Sequence, residues 1–396
     1  MILVRRSAAT IALALLPLCT TSARQPCPPE ENPGTVTDFG RRFESGRVFE
    51  PTLEVPGTSI DPPGESVKYV RAQVSLRRAP RNGWHLTVRD AKYHVVQTLT
   101  ADDFTGTTPR WTPRVYSPTL WLDFQPGPSS TGRDDVAFVI ERYQVMRDTN
   151  RSYYSQQGPT VNFRPLYALG DARPFEPEYL RLGDVTGLLM GGSTDDAWAC
   201  TVVAVAPDMV LTNWHCGGPG ERMSAARFWK EDICPSTVID MSWDDDNVSQ
   251  EFRCATVVAH EALDIALLTV TPAAGARLRP ARIRLTPPAN RRVTVVHHPA
   301  GDRKQIGINC EVVSWDETVD GRRHFTHKCD THPGSSGAPI FNANQELIGL
   351  HRKGFDFSTA TCGYTDKVNK AIHMSDIVAF LRTNHKALAD KLTVFP

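Results

Sequence analysis

Between residues 67 and 146 the chain alternates apolar and polar residues in short runs. In the clearest run, from Val70 to Leu76, every second residue is apolar and the residues between them are polar. A period of two places one face of a strand on a core and the other in water. Turn-forming residues such as Asn82-Gly83 separate the runs, and no helical stripe interrupts them. This pattern predicts a β-sandwich over residues 67–146.

Residues 173–396 form a second strand-rich region. Short apolar segments recur through it, among them Ala199–Ala206 and Leu347–His351, and the terminal segment from Ser375 has the apolar spacing of a helix. A β-rich region of this length that ends in one helix predicts two packed β-barrels. The expected fold class is therefore all-β, with an N-terminal β-sandwich, a two-barrel domain and a C-terminal helix.

Two segments beside these regions lack periodicity. Residues 24–66 are rich in Pro, Gly and Thr, and we expect an extended lead-in there. Residues 147–172 are polar and irregular, which is typical of a linker and, where exposed, of a processing site. Because the sandwich contains no recognisable catalytic constellation, the sequence leaves a pro-segment, a binding module and a spacer open as its role.

The first 23 residues have the organisation of a secretory signal peptide. Arg5 and Arg6 precede the short apolar stretch from Thr10 to Leu18, and small residues follow up to Ala23. The stretch is too short for a membrane anchor. We therefore expect a secreted or periplasmic protein that begins near residue 24.

The charge balance excludes some classes of partner. The chain has 44 basic and 44 acidic residues, and this zero formal net charge argues against binding nucleic acid through a basic surface. No apolar run reaches the roughly 18 residues that a membrane-spanning helix needs. His260-Glu261 lacks the second histidine of a zinc-protease motif. We expect a monomer without metal or cofactor.

The cysteines mark the second region as the crosslinked one. Cys19 leaves with the signal peptide, and an even number of cysteines in an exported chain implies disulfides. All of the remaining cysteines except Cys27 follow residue 199. The full set is Cys27, Cys200, Cys216, Cys234, Cys254, Cys310, Cys329 and Cys362.

Three segments of the second region contain a histidine, an aspartate and a serine in that order. His215 ends a strand-like run, Asp264 directly opens an apolar segment, and Ser336 lies in a Gly-Ser-Ser-Gly turn. A serine hydroxyl needs a base in hydrogen-bond contact to act as a nucleophile at neutral pH. A histidine can take that proton, and a buried aspartate can fix its tautomer and stabilise the imidazolium. We therefore predict His215, Asp264 and Ser336 as a catalytic triad.

Such a triad also needs donors for the negative charge that develops on the substrate carbonyl oxygen. The backbone N–H groups of Gly334 and Ser336 are the candidates for this oxyanion hole, since the glycine lets the backbone present both groups. Loss of one such donor typically costs about 3–4 kcal/mol of transition-state stabilisation.

Together these segments resemble the chymotrypsin-like serine endopeptidases, and within them the V8-like (glutamyl endopeptidase) group of bacterial trypsin-like peptidases. Leu211–Cys216 looks like the end of that family's catalytic-histidine strand, and Gly334–Pro339 looks like its nucleophile loop. The resemblance covers about residues 180–390 and leaves the N-terminal region uncovered. It implies a Cys200–Cys216 disulfide and hydrolysis of protein or peptide substrates through an acyl-enzyme.

The resemblance also indicates residues for substrate recognition. Thr331 and His351 stand where V8-like enzymes place the hydroxyl and the imidazole that recognise a glutamate side chain, and both groups can donate to a carboxylate. Gly354 belongs to the same substrate-binding set, and Arg352 adds positive charge beside it. Asp330 stands where trypsin-like enzymes keep the carboxylate that selects Lys or Arg. This alternative stays open beside the preferred Glu specificity.

One residue departs from the trypsin pattern. Trypsin-type zymogens use an aspartate just before the nucleophile to bind a newly formed N-terminus, and Ser335 occupies that position here. A neutral hydroxyl cannot form that ion pair, so we expect no trypsin-style activation switch.

The other cysteines allow three further disulfides. One pair would lie between the histidine and the aspartate of the triad, one would form a clasp around the specificity pocket, and the last would tie the lead-in to the catalytic domain. The expected pairs are Cys234–Cys254, Cys329–Cys362 and Cys27–Cys310.

A different class of function also fits the sequence. A non-enzymatic relative, either a pseudoprotease or a surface-binding protein, would use the β-sandwich as its functional part. A missing triad residue or an obstructed oxyanion loop would favour that interpretation, and neither is visible in the sequence.

Overall fold

The structure is a computed structural model, and it describes most of the chain from residue 34 onward. The predicted signal peptide, Cys27 and Cys362 lie outside the described residues. Described are residues 34–43, 52–56, 66–78, 83–104, 110–117, 119–125, 137–148, 161–167, 175–192, 197–220, 224–230, 233–244, 250–272, 277–319, 321–354, 357–358, 363–364 and 368–395.

The N-terminal part is a β-sandwich of two antiparallel four-stranded sheets, with strand orders β1-β8-β3-β6 and β2-β7-β4-β5. Apolar side chains of both sheets meet between them, including Val70, Leu122 and Ile140. The strands are Gly34–Phe43 (β1), Thr52–Pro56 (β2), Ser66–Arg78 (β3), His85–Arg89 (β4), Val95–Leu99 (β5), Arg110–Trp111 (β6), Thr119–Gln125 (β7) and Ala137–Asp148 (β8).

The sandwich begins earlier than the sequence pattern indicates. Strands β1 and β2 fall within residues 24–66, where we expected an extended lead-in, and they pair with β8 and β7. Each is the edge strand of its sheet. An edge strand is held on one side only and tolerates proline, so a segment with little alternation and with Pro56 at its end can occupy this place.

The first barrel closes from six strands in the order β10-β11-β12-β15-β14-β13. A short helix, α1 (Pro177–Asp184), leads into it, and α2 (Ile233–Ser236) precedes β13. The strands are Thr186–Gly192 (β10), Ala197–Ala206 (β11), Met209–Thr212 (β12), Val238–Asp240 (β13), Glu251–His260 (β14) and Ile265–Pro272 (β15).

The second barrel also closes from six strands, in the order β17-β18-β19-β24-β21-β20, because β20 pairs with both β17 and β21. The short strands β16 and β25 extend it beyond β21, and β9 (Phe163–Pro165) pairs with β18. The strands of this sheet are Ile283–Arg284 (β16), Arg292–His297 (β17), Gln305–Val319 (β18), Arg322–His327 (β19), Pro339–Phe341 (β20), Leu347–Lys353 (β21), Asn369–His373 (β24) and Val394–Phe395 (β25). Phe357–Ser358 (β22) and Gly363–Tyr364 (β23) form a separate two-stranded sheet.

The C-terminal helix packs against the core between the barrels. Helix α3 (Met374–Asn384) buries Ile377 and Leu381 there, and α4 (Lys386–Ala389) follows. The N-cap of helix α3 is His373, and Ser375 lies within the helix, because strand β24 runs directly into it. The expected all-β class, with a sandwich, two barrels and a terminal helix, is confirmed. No helix in the described residues is long and apolar enough to cross a bilayer.

Among the cysteines that the structure describes, three disulfides lie in the two barrels. Cys200–Cys216 and Cys234–Cys254 are confirmed, with Cα atoms 6.1 and 5.2 Å apart. Disulfides of this kind are typical of exported proteins.

The expected Cys329–Cys362 and Cys27–Cys310 pairs are wrong, because Cys310 bonds to Cys329. Strands β18 and β19 run antiparallel with Val312 opposite His327. Cys310 lies two residues before Val312 and Cys329 two residues after His327, so the two cysteines face one another, with Cα atoms 5.0 Å apart.

Candidate active site

The predicted triad residues come from both barrels. In the first barrel, His215 lies in the turn that follows β12, and Asp264 directly precedes β15. In the second, Ser336 lies in the loop between β19 and β20. The barrels touch at this point, since the N–H of Thr201 on β11 donates to the Ser336 carbonyl at 2.8 Å.

Asp264 holds the His215 ring in one orientation. Its carboxylate lies 2.9 Å (Oδ2) and 3.1 Å (Oδ1) from His215 Nδ1, and Oδ1 also accepts the His215 backbone N–H at 3.0 Å. Asn213 fixes Asp264 from the other side by donating to its carbonyl. Because an ionised carboxylate only accepts, Nδ1 carries the imidazole proton and Nε2 keeps its lone pair. This is the tautomer that a general base for a serine needs.

The environment keeps Asp264 ionised. Burial by itself raises the pKa of this carboxyl, but the charge and hydrogen bonds of His215 and the charge of Arg352 outweigh it and lower the pKa below its ordinary value. His215 is far more accessible, with 37% of its side chain exposed against 5% for Asp264. The pair therefore offers a base to solvent and keeps its orienting anion inside.

The contact between Arg352 and Asp264 was not predicted from the sequence. We expected its charge beside the substrate pocket, but its Nε donates to Asp264 Oδ2 at 3.0 Å and its Nη1 lies 3.1 Å from His324 Nε2. Strand β21 has a register irregularity between His351 and Lys353 in its pairing with β24, so simple alternation along the strand does not indicate this contact. The guanidinium therefore contacts the predicted triad and not the pocket.

The loop around Ser336 depends on two glycines with positive φ. Gly334 has φ 93° and Gly337 has φ 84°. A Cβ on Gly334 would lie 2.6 Å from the His298 carbonyl oxygen, and one on Gly337 would overlap the Thr201 carbonyl. Only glycine fits both the conformation and the space.

The backbone of this loop leaves two donors available. The N–H groups of Ser335 and Gly337 donate to the carbonyls of His332 and His351. Within the described part of the chain, the N–H groups of Gly334 and Ser336 make no internal hydrogen bond. Neither does the Ser336 hydroxyl bond to His215 there, and such contacts often tighten only when substrate binds.

Ser335 makes a neutral contact where an ion pair would need an aspartate. Its Oγ lies 2.8 Å from His297 Nδ1 and accepts the His332 N–H at 3.1 Å. His297 is fully buried, and burial together with the neighbouring histidines holds its pKa well below the ordinary value. The loop is therefore held by an uncharged hydrogen bond.

Three of the residues predicted to recognise substrate form two groups, with Thr331 and Gly354 in one and His351 in the other. Thr331 and Gly354 are neighbours, since a Cβ on the glycine would lie 3.8 Å from Thr331 Oγ1. His351 is buried and its Nδ1 lies 3.2 Å from Nε2 of His327, which the sequence analysis did not connect with it. Burial lowers the pKa of His327 to about 3 and lowers that of His351 well below its ordinary value.

The tautomers of this histidine pair follow from one backbone contact. Cys329 donates its N–H to His327 Nδ1 at 3.3 Å, so a neutral His327 carries its proton on Nε2. That proton is donated to His351 Nδ1. A neutral His351 then carries its own proton on Nε2, as a donor.

Asp330, which directly precedes Thr331, is held by the segment before β9. It is fully buried, and its Oδ2 accepts the backbone N–H of Asn162 at 2.8 Å. Its own N–H donates to Asn162 Oδ1 at 2.9 Å. Asn162 immediately precedes β9, so the segment expected as a linker over 147–172 instead adds a strand to the second barrel and contacts the predicted pocket.

Comparison with known proteins agrees with this geometry. Residues 200–350 match the family described as trypsin-like peptidase domain. The match covers less than half of the chain. The matched segment extends from Cys200 to Leu350, so it includes all three predicted triad residues.

The solved structures that match part of the chain include several proteases. The active form of the Rv3671c protease from M. tuberculosis is 16% identical, over 56% of this chain and 86% of that one, with a TM-score of 0.36. A Glu endopeptidase in complex with MPD is 16% identical, over 57% and 97%, with a TM-score of 0.38. An HtrA-type protease with a tripeptide is 15% identical, over 53% and 63%, with a TM-score of 0.40. A search among curated proteins finds no match. We draw nothing about activity from likenesses this distant.

Proposed function

We propose that this protein is an exported serine endopeptidase in which Ser336, His215 and Asp264 form the catalytic triad. The observation that carries the proposal is the bond between His215 Nδ1 and buried Asp264 at 2.9 Å, in a trypsin-like peptidase domain whose nucleophile loop contains Ser336. The contact leaves the imidazole with the lone pair that deprotonates a serine.

The reaction divides into acylation and hydrolysis. The Ser336 oxygen attacks the carbonyl carbon of the scissile peptide bond while His215 Nε2 accepts its proton, and Gly334 and Ser336 donate to the resulting oxyanion. The imidazolium then protonates the leaving amine as the C–N bond breaks. Water, activated by the same histidine, hydrolyses the acyl-enzyme and regenerates Ser336.

Glutamate before the cut is the specificity that we propose. The tautomer order from Cys329 through His327 places a donor hydrogen on Nε2 of His351, and Thr331 adds a hydroxyl beside Gly354. These groups can bind a carboxylate without a fixed positive charge. Selection of Lys or Arg by Asp330 is less favourable, because a carboxylate oxygen of Asp330 already accepts the Asn162 N–H.

The triad is tested by covalent labelling. Wild-type protein should react with a phosphonofluoridate at Ser336, as read by mass spectrometry, and Ser336→Ala should not react. Ser375→Ala is the matched control, because that hydroxyl belongs to helix α3 and bonds to its neighbour Asp376, and it should still label at residue 336. A folded wild-type protein that resists labelling would support the non-enzymatic alternative, a pseudoprotease or surface-binding protein.

Specificity is tested with a peptide-library digest read for the residue before each cut. Glutamate in that position supports the roles of Thr331 and His351. Lys or Arg would transfer recognition to Asp330. Export through an N-terminal signal peptide over residues 1–23, and the division of the chain into a sandwich and a protease domain, belong to the same proposal.

A further inference from the structure

The β-sandwich and the first barrel share an apolar interface. Tyr69 and Trp111 of the sandwich pack in one buried cluster with residues of the barrel. The barrel members are Leu188, Met190, Val238 and Trp243.

Two ion pairs cross the same interface almost out of contact with water. Arg71 lies 2.9 Å from Glu251, and Arg114 lies 2.9 Å from Asp240, with no more than 12% of any of these side chains exposed. Separating the sandwich from the barrel would expose the apolar cluster and break both pairs. The sandwich is therefore docked as a fixed part of the molecule.

Trp243 of the barrel is enclosed by side chains of the sandwich. It is fully buried, and its ring lies edge-on to Tyr69 at 5.4 Å between centroids and stacks on Tyr116 at 5.9 Å. The Arg114 guanidinium lies over the same ring, 4.9 Å from its centroid. Three sandwich side chains thus set the position of one indole.

The other edge of Trp243 contacts the loop that holds the proposed oxyanion donor. Its Nε1 donates to the Gly301 carbonyl at 3.0 Å, in the turn Pro299–Gly301. That turn packs directly on Gly334, where an added Cβ would lie 2.9 Å from the Gly301 nitrogen and 3.0 Å from the Ala300 nitrogen. Ala300 also donates its N–H to the carbonyl of Pro333.

We propose that Trp243 is a positioning residue through which the docked β-sandwich holds Gly334 in place for oxyanion binding. The inference rests on the proposed serine endopeptidase function. The path is short and made of direct contacts: Tyr116 and Arg114 hold the indole, the indole holds Gly301, and the turn at Gly301 holds Gly334. The sandwich therefore contributes to turnover and is neither a spacer nor a pro-segment to be discarded.

The test compares Trp243→Phe with wild type in the full chain. Phenylalanine keeps an aromatic ring but removes the Nε1–H donor to Gly301. We expect kcat to fall about tenfold or more with little change in KM, because donors to an oxyanion act in the transition state and their displacement is not felt in the ground state. The affinity of a peptide boronate, which mimics the tetrahedral intermediate, should fall by a similar factor.

A second variant acts from the sandwich side. Tyr116 is 37% exposed, so Tyr116→Ala should fold, and it removes the ring stacked on Trp243. We expect the same loss in kcat, smaller in size at about threefold, and non-additivity when it is combined with Trp243→Phe. Trp84→Phe is the matched control, since Trp84 is buried in the sandwich core against Phe138. It should lower Tm but leave kcat unchanged.

The outcomes separate the two proposals. If wild type hydrolyses peptides but kcat and boronate affinity stay at the wild-type level in Trp243→Phe and Tyr116→Ala, the positioning role is overturned and the endopeptidase stands. If folded wild type neither hydrolyses peptides nor reacts at Ser336, the proposed function is overturned, and this inference with it.

Discussion

Arg352 Nε lies 3.0 Å from Asp264 Oδ2, the same oxygen that lies 2.9 Å from His215 Nδ1. The proposed triad carboxylate thus contacts both His215, a base that must gain and lose a proton, and Arg352, which is permanently positive. Both Arg352 and Asp264 are close to buried, at 11% and 5% side-chain exposure, so water screens this pair weakly. The guanidinium helps to keep Asp264 ionised and limits its rotation.

Removing this guanidinium should impair catalysis without abolishing it. In Arg352→Met we expect kcat/KM for a peptide substrate to fall about tenfold, because the carboxylate that orients His215 loses one of its two anchors. Arg279→Met is the control, since Arg279 is 79% exposed in its pair with Asp184, and its activity should be unchanged. Equal kcat/KM in the two variants would contradict the role of Arg352.

The same pair predicts how stability depends on pH. The pKa of Asp264 is below its ordinary value in the folded state, so this carboxyl contributes stability above the pKa of the unfolded chain, near 4. That contribution is lost as the pH falls from there through the lowered folded pKa. Arg352→Met removes one cause of the lowering, so the free energy of unfolding should change less between pH 7 and pH 3 than in wild type. Urea denaturation at both pH values measures this, and a larger change in the variant would argue against it.

The buried histidine pair predicts a specific loss of discrimination. In His351→Phe, the ratio of kcat/KM for a peptide with Glu before the cut to that for its Gln analogue should fall about tenfold, because the carboxylate loses a donor. His327→Phe should lower the ratio less, since it removes only the group that sets the tautomer of His351. His94→Phe, at an exposed sandwich position, is the control. A ratio that is unaffected in His351→Phe would remove this residue from recognition.

The contact between Asn162 and Asp330 indicates that the segment before β9 stabilises the second barrel. Asn162→Ala removes the side chain that accepts the Asp330 N–H at 2.9 Å, next to a carboxylate that is fully buried. We expect the free energy of unfolding to fall by about 1–3 kcal/mol, measured with urea. Asn290→Ala, in the surface turn before β17, should cost much less. Similar values for the two variants would show that the Asn162 contact contributes little.

Alanine substitutions at two glycines distinguish the effect of backbone strain from the effect of a steric clash. Gly321 and Gly334 both have positive φ, at 71° and 93°, but a Cβ on Gly321 would meet nothing within 4 Å, whereas one on Gly334 would meet the His298 carbonyl. Gly321→Ala should cost about 1–2 kcal/mol of stability with unchanged kcat. Gly334→Ala should in addition lose most of its kcat, because the proposed oxyanion donor must move. Full activity in folded Gly334→Ala would exclude that donor role.

Local patterns in the chain were enough to predict the fold class and the proposed chemistry. Alternation of period two depends only on neighbouring residues, and it indicates strands wherever one face is buried. The Gly-Ser-Ser-Gly turn around Ser336 and the Cys200–Cys216 pair bracketing His215 are short motifs. Each can be recognised without knowledge of the rest of the chain. Asp264 was identified in the same way, since it directly opens an apolar strand.

Contacts between distant segments were decided by tertiary structure alone. Cys310 bonds to Cys329 because of the register of β18 and β19, and register is a property of two strands and not of either sequence. Arg352 reaches Asp264 across 88 residues. The edges of the sandwich could not be predicted either, because β1 and β2 are held by backbone hydrogen bonds that any residue except proline can make. The sequence therefore predicted which residues would perform the proposed chemistry, and the packing of sandwich and barrels decided which other residues contact them.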